Sequence, residues 1–313
     1  MSVTVADGPS IAAIVPCYNE EAAIASVVAD LKRSMPGIAV YVYDNASTDR
    51  TVEIARAAGA IVRHEPRRGK GNVVRRAFAD VDADIYVMID GDDTYDADAL
   101  PGMIERLTSE HLDHVLGVRT AQIGSSAYRP GHESGNRLFN RLVGRLFGEP
   151  VSDMLSGYRV MSRRFVKSFP AVSREFEIET ELTVHCMSLR VPQAEVNVGF
   201  RDRPQGSESK LRTYHDGFRI LRLIGSLVQH ERPLQFYGLT SAVLAIIGVV
   251  LGAPLIWTFI NTGLVPRLPT AVLASSLIII AMLSLVVGLV LNALLRSRRE
   301  MARLIYLQYG IAA

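Results

Sequence analysis

Residues 236–260, FYGLTSAVLAIIGVVLGAPLIWTFI, and 271–295, AVLASSLIIIAMLSLVVGLVLNALL, contain no Asp, Glu, Lys or Arg. Each exceeds the roughly 20 residues that cross a bilayer as a helix. A chain in lipid must satisfy its own backbone groups, so two such stretches predict a pair of transmembrane helices. The loop between them, NTGLVPRLP, carries one basic residue, Arg267, whereas RSRREMAR after the second carries Arg296, Arg298, Arg299 and Arg303. By the positive-inside rule the hairpin loop lies outside and both flanking segments lie in the cytoplasm. A multi-pass protein of the cytoplasmic (inner) membrane is expected, with its N-terminal domain facing the cytoplasm. MSVTVADGPS has no basic start and no long apolar core, so no signal peptide is expected.

The segment before residue 235 reads as a soluble domain. SIAAIVP, IAVYVYD, AIVRHE and DIYVMID are short runs rich in β-branched or aromatic residues, which predict strands. Between them, NEEAAIASVVADLKRSM, DRTVEIARAAG and KGNVVRRAFADV carry apolar residues at helical spacing, such as Ile24, Val27, Val28 and Leu31. Strand alternating with helix argues an α/β fold around a mostly parallel sheet covered on both faces. Ligands of such sheets bind outside the carboxyl ends of the strands. Asn19 and Glu20, Asp44, and Asp90 and Asp92 all follow strand ends.

Beyond about residue 115 the periodicity loosens. RTAQIGSSAYRPGHESGN predicts a mobile polar loop, GNRLFNRLVGRLFGE an amphipathic helix, REFEIETELTVHCMSL a helix and QAEVNVGF a strand. LRTYHDGFRILRLIGSLVQHERPL joins the domain to the first span; its alternation of apolar residues with Arg219 and Arg222 suits a helix on the membrane surface. The expected organisation is a domain over 1–210, juxtamembrane helices over 211–235, the hairpin over 236–295 and a cytoplasmic tail over 296–313.

MIDGDDTYDAD places Asp90, Asp92, Asp93, Asp96 and Asp98 directly after the apolar run DIYVMI. An EF-hand loop starting at Asp90 would need Gly where Tyr95 stands and Glu where Pro101 stands, so a calcium loop is excluded. Asp90 and Asp92, two residues apart at a buried strand end, can both face the crevice. Two carboxylates completed by phosphate oxygens make the hard environment of Mg²⁺ or Mn²⁺. Asp96 and Asp98 suit the first turn of the following helix. In VYDNASTDRT, Ser47 or Thr48 is expected to cap a helix, whereas Asp44 is better placed to accept bonds from a base or ribose. RRGKGNVVRR joins flexible backbone, a helix start and Lys70 into a candidate phosphate cradle.

Net charge is +2, so no global field points to nucleic acid. Cys17 and Cys186 match no zinc or redox spacing and are expected as buried thiols. His132, His185 and His215 form no arrangement with carboxylates and are expected to be structural.

Taken in order, VPCYNEE, YDNASTDRT, RRGKGNVVRRAF and DGDD resemble glycosyltransferase family 2. SGYRVMSRR, EIETEL and GSESKL, followed by a surface helix and two spans, are similar to its polyprenyl-phosphate glycosyltransferases, relatives of dolichol-phosphate mannose synthase. The resemblance implies the nucleotide-diphospho-sugar transferase (GT-A) fold. It also implies inverting, metal-dependent transfer of a sugar from a nucleotide-diphospho-sugar to undecaprenyl or dolichyl phosphate. Such a product would serve cell-envelope glycan or glycoprotein assembly. It assigns Pro16, Tyr18, Asn19, Glu20, Asp44, Ser47, Lys70, Asp90 and Gly91 to the nucleotide sugar, and Asp90 and Asp92 to Mg²⁺ or Mn²⁺. Arg119, Arg129, Arg201 and Lys210 join those acids in the catalytic centre. Arg137, Arg201, Ser209 and Lys210 are expected at the lipid phosphate. A UDP-sugar is the expected donor, with GDP-mannose the alternative, and a homo-oligomer is expected.

Two places depart from the family pattern. Asp93 and Thr94 stand where relatives commonly carry Leu and Gln, and Asn45 stands where a second acid is usual. A processive polysaccharide synthase would show more spans and a Gln-x-x-Arg-Trp motif, but the only tryptophan, Trp257, lies inside a span. A sugar-nucleotide sensor is the non-catalytic rival; it would bind without turnover.

Overall fold

The computed structural model describes residues 8–121, 144, 151–171, 178–203, 225 and 228–310. The chain forms two compact units, Met1–Arg212 together with Met301–Ala313, and Thr213–Glu300.

In the first unit β1 (Ile11–Cys17), α1 (Ile24–Ser34), β2 (Ala39–Asp44), α2 (Thr51–Ala57), β3 (Ile61–His64), α3 (Lys70–Asp80) and β4 (Ile85–Met88) alternate as the sequence predicts. After them come α4 (Leu100–Ser109), β5 (His114–Ala121), β6 (Arg159–Ser162), α5 (Arg163–Ser168), α6 (Ile178–Leu189) and β7 (Gln193–Phe200). The strands form one sheet in the order β3-β2-β1-β4-β6-β5-β7. β6 runs antiparallel to β4 and β5; the other pairings are parallel.

β4 explains why both faces are covered. Ile85 and Val87 point into one core with Val27, Val28 and Leu31 of α1 and Met103 and Leu107 of α4. Tyr86 and Met88, one residue out of phase, point into a second core with Val74 and Phe78 of α3, Phe165 of α5 and Leu182 of α6. Each fully buried side chain of this size contributes about 2 kcal/mol. Because β1 to β4 are parallel, Cys17, Asp44, His64 and Met88 finish on one edge.

Two segments differ from expectation. Arg119, expected in a mobile loop, lies in β5, because the strand pairs with β7 from His114 opposite Gln193 to Ala121 opposite Phe200. β6 escaped the periodicity reading because only four residues, RVMS, form it and all are buried. Apart from Gly144, the predicted helix over 135–149 lies outside the described residues, as does most of the juxtamembrane segment.

His185 has the structural role expected of it. It is buried, its Nε2 lies 3.0 Å from Ser168 Oγ, and it meets the rings of Phe165 and Phe169 edge-on. Burial lowers its pKa to about 4. The unfolded chain therefore binds a proton between about pH 6.5 and 4 that the folded chain excludes. The stability His185 contributes is complete above pH 6.5 and is lost as pH falls towards 4, roughly 3 kcal/mol in total. The melting temperature of His185→Gln should therefore fall less steeply across that window than that of the wild type.

The last turns of α8 (Leu268–Gln308), from Met301 onward, belong to the first unit. Tyr306 sits in the second core, and its hydroxyl donates to Asp113 Oδ2 at 2.6 Å. Asp113 is fully buried and also accepts from Ser162 Oγ and from both Nε and Nη2 of Arg164. Arg303 Nη1 donates to the Leu189 carbonyl at 2.6 Å. A hydrogen bond to a buried charge contributes about 2 kcal/mol, so Tyr306→Phe should melt a few degrees below the wild type in the same detergent.

The second unit holds α7 (Pro233–Thr262) and the body of α8, helices of 30 and 41 residues that are long and apolar enough to cross a membrane. Gly248 lets them approach: a Cβ there would lie 2.9 Å from Ile278 Cδ1 and 3.2 Å from the Ala274 carbonyl. Gly288 does the same against Tyr237. Glu231 and Arg299 form an ion pair at 2.8 Å.

Candidate active site

The carboxyl edge of β1, β2 and β4 is organised by side chains that tie one loop to the next. After β1, Asn19 takes a left-handed φ of 54°, a region Asn tolerates. Its side-chain oxygen accepts from Thr48 N at 2.8 Å, and its own N–H donates to Ser47 Oγ at 3.0 Å. Glu20 N donates to Thr51 Oγ1 at 2.8 Å. Ser47 and Thr48 therefore do not cap a helix as expected. They staple the β1 and β2 loops together, and Asp49 accepts the Thr51 N–H at the start of α2. Tyr18 lies beneath the Arg68 guanidinium, 5.1 Å from its ring centre.

Asp44 is buried and accepts from Ser47 N at 3.2 Å and faces His64 Nδ1 at 3.1 Å. Its carboxylate has further lone pairs for a ligand. Asn45 accounts for its own departure from the family pattern. Its Nδ2 donates to the carbonyls of Glu65 and Arg67, while its Oδ1 accepts from Gly69 N at 2.7 Å. A carboxylate cannot donate, so an acid here would lose the bonds that shape the 65–69 loop. That loop, with Gly69 at φ 120°, launches α3 and sets the direction of Lys70.

Lys70 is directed between two acids. Its ammonium bonds Asp90 and lies 2.5 Å from Glu179 Oε1. Burial opposes its charge, but the two carboxylates more than offset that and raise its pKa above the ordinary lysine value. Gly91 lets the acid turn lie against β1, since a Cβ there would sit 2.5 Å from Cys17 Sγ and 3.3 Å from the Pro16 carbonyl. Asp92 is buried; its Oδ1 accepts from Thr94 Oγ1 at 2.7 Å, and its Oδ2 pairs with Arg203 Nη2 at 2.6 Å.

Arg201 and Asp93 form a brace beside this pair. Arg201 Nε donates to the Asp93 carbonyl at 2.9 Å, its Nη2 bonds the Asp93 carboxylate, and its N–H reaches the Thr94 carbonyl. Asp93, which the sequence left without a role, thus ties the acid turn to the chain leaving β7. Arg119 makes a forked pair with Asp153, Nε to Oδ2 at 2.6 Å and Nη2 to Oδ1 at 2.7 Å. The loop from Asp153 to Gly157 is held by Arg159 on the carbonyls of Met154 and Ser156, and by the Tyr95 hydroxyl, which accepts from Gly157 N at 2.8 Å. Burial pushes the Tyr95 pKa to about 12, keeping the hydroxyl neutral. This loop sets the Gly157 backbone directly against Asp90.

Pro16, Tyr18, Asn19, Glu20, Asp44, Ser47, Lys70, Asp90, Gly91 and Asp92 thus lie on or beside the edge where β1, β2 and β4 end. Arg129, Arg137, Ser209 and Lys210 lie outside the described residues. Glu179, Asp153 and Arg203 were missed. Arg203 had a signal: residues i and i+2 of an extended chain share a side, so Arg201 pointed equally to Arg203.

Among the described residues no three His, Cys, Asp or Glu side chains converge as a ready-made metal cage. Asp90 and Asp92 pair with Lys70 and Arg203 here, and as two hard oxygen donors on one turn they would leave most of a divalent ion's coordination to a diphosphate and water.

The family model described as Glycosyl transferase family 2 matches residues 12–169. Glycosyltransferase AglJ of Haloferax volcanii is 36% identical over 227 residues, covering 72% of this chain and 74% of that protein. The dolichyl-phosphate hexose transferase of the same organism is 32% identical over 222 residues, 71% of this chain and 95% of that one. Glucosyl-3-phosphoglycerate synthase from Mycobacterium tuberculosis, solved with Mn²⁺, UDP and glucosyl-3-phosphoglycerate, superposes with a TM-score of 0.57 at 26% identity. That match covers 71% of this chain and 80% of that one.

Proposed function

The chain belongs to glycosyl transferase family 2 and has the GT-A fold, and from that premise we propose that it moves a sugar from a nucleotide-diphospho-sugar to a membrane polyprenyl phosphate, inverting the anomeric carbon. The observation that carries the reading is the pair Asp90 and Asp92 on the carboxyl edge of a GT-A sheet, in a chain that also holds two apolar helices long enough to cross a membrane. The name of the haloarchaeal dolichyl-phosphate hexose transferase supports a lipid-phosphate acceptor, and the UDP complex of the mycobacterial enzyme supports a UDP-sugar.

A phosphate monoester has a second pKa near 6, so the acceptor is an anionic nucleophile at neutral pH and needs no general base. One of its oxygens attacks the anomeric carbon as the bond to the diphosphate breaks, and the nucleoside diphosphate leaves with the electron pair. Asp44, Asn19 and Ser47 orient the nucleoside. Mg²⁺ or Mn²⁺ on Asp92 and Asp90 would supply the charge that stabilises the departing diphosphate. Thr94 fixes the Asp92 carboxylate, which Arg203 also holds. Arg129, Arg137, Ser209 and Lys210, with Arg119 and Arg201, are the groups assigned to the lipid phosphate. The arginines following residue 295, under the positive-inside rule, support a catalytic domain that faces the cytoplasm.

The test is a donor panel. Purified protein with Mn²⁺ and undecaprenyl phosphate should form glycolipid from a UDP-sugar in preference to GDP-mannose. Binding of nucleotide sugars without glycolipid from any of them would identify a sensor instead.

A further inference from the structure

Glu179 is the second residue of α6, and the proposed reaction has so far given it no role. It is buried, its Oε1 lies 2.5 Å from Lys70 Nζ, and its Oε2 is buried with no hydrogen-bond partner among the described residues. The Lys70 side chain is only 9% exposed, and its ammonium also bonds Asp90, one of the two acids assigned to the metal. An unpartnered carboxylate oxygen in the interior is costly and marks a group held for something other than stability.

The charge count shows what Glu179 can do. Lys70 and Asp90 alone form a neutral pair, in which the ammonium hides the carboxylate from an incoming divalent ion. Adding Glu179 makes the trio net negative and gives the ammonium a second anchor away from Asp90. The contact joins α6 to the first turn of α3 across a sequence separation of 109, so neither helix alone fixes this geometry. Lys70 is held from both sides.

We propose that Glu179 is a positioning residue for the donor site: by anchoring Lys70 it leaves Asp90 available to a divalent ion and keeps the ammonium beside the diphosphate. The inference rests on the donor site proposed above, but its test requires neither sugar nor lipid acceptor.

Binding of Mn²⁺ with UDP to the full chain in detergent, followed by the Mn²⁺ paramagnetic resonance signal, should weaken at least tenfold in Glu179→Gln. With Lys70 replaced by Met, Glu179 has no ammonium to position, and adding Glu179→Gln should change binding less than about twofold. Glu179→Asp, which keeps the charge, should lie within about threefold of the wild type. Melting curves in the same detergent identify any variant that does not fold, and the Asp variant then carries the comparison. Unchanged binding in Glu179→Gln, an equal loss with and without Lys70, or no recovery in a folded Glu179→Asp would each overturn the proposal. A failure of the donor panel to yield glycolipid would count against the transfer reaction and leave this binding cycle as it stands.

Discussion

Asp92→Asn is expected to reduce sugar transfer by about three orders of magnitude while the protein remains folded. The amide keeps the volume of the side chain and one acceptor for Thr94, so local packing survives. It removes the negative charge that now pairs with Arg203 and that the departing diphosphate's counter-ion requires. A thousandfold loss corresponds to about 4 kcal/mol of barrier, within what a positioned metal ion supplies. Initial rates at saturating Mn²⁺, beside a melting curve, check this. A folded variant within about tenfold of the wild-type rate would remove Asp92 from the centre of the site.

Gly157→Ala should be almost as damaging, by a steric route. A methyl group there would stand 2.4 Å from Asp90 Oδ2 and 2.7 Å from its Cγ. The loop cannot easily retreat, because Tyr95 accepts the Gly157 N–H and Arg159 holds the carbonyls of Ser156 and Met154. Asp90 must therefore swing away, breaking its pair with Lys70. A loss of roughly a hundredfold in rate is expected, since a displacement of about 1 Å at a reacting centre costs that much. A Gly157→Ala protein that transfers sugar within threefold of the wild type would show that Asp90 need not hold this position.

The half of the domain that forms β1 to β4 was legible because each strand and helix carries its own periodic signal over neighbouring residues. Ile24, Val27, Val28 and Leu31 are buried as their spacing required. The acids Asp90 and Asp92 were legible for the same reason, as a dense cluster just past an apolar run. What stayed hidden depends on contacts between distant segments. Glu179 looked like one acid among three in EIETEL until α6 brought it to Lys70. Asp153 had no signal until β5 placed Arg119 opposite it. Asn45 looked like a lost carboxylate, and only its three bonds to the 65–69 loop reveal an amide selected for donating. The resemblance put Arg201 at the lipid phosphate, but no local pattern announced its pairs with Asp93 and Asp30 or the seat of Arg203 on Asp92.

The most direct measurement of the central claim is the identity of the product formed from a labelled UDP-sugar, Mn²⁺ and undecaprenyl phosphate by the purified full chain. Mass spectrometry of the lipid fraction should find one sugar joined through a single phosphate, and proton coupling at the anomeric carbon should report the configuration opposite to that of the donor. Label recovered only as free sugar or in a water-soluble product, or a glycolipid retaining the donor configuration, would contradict it.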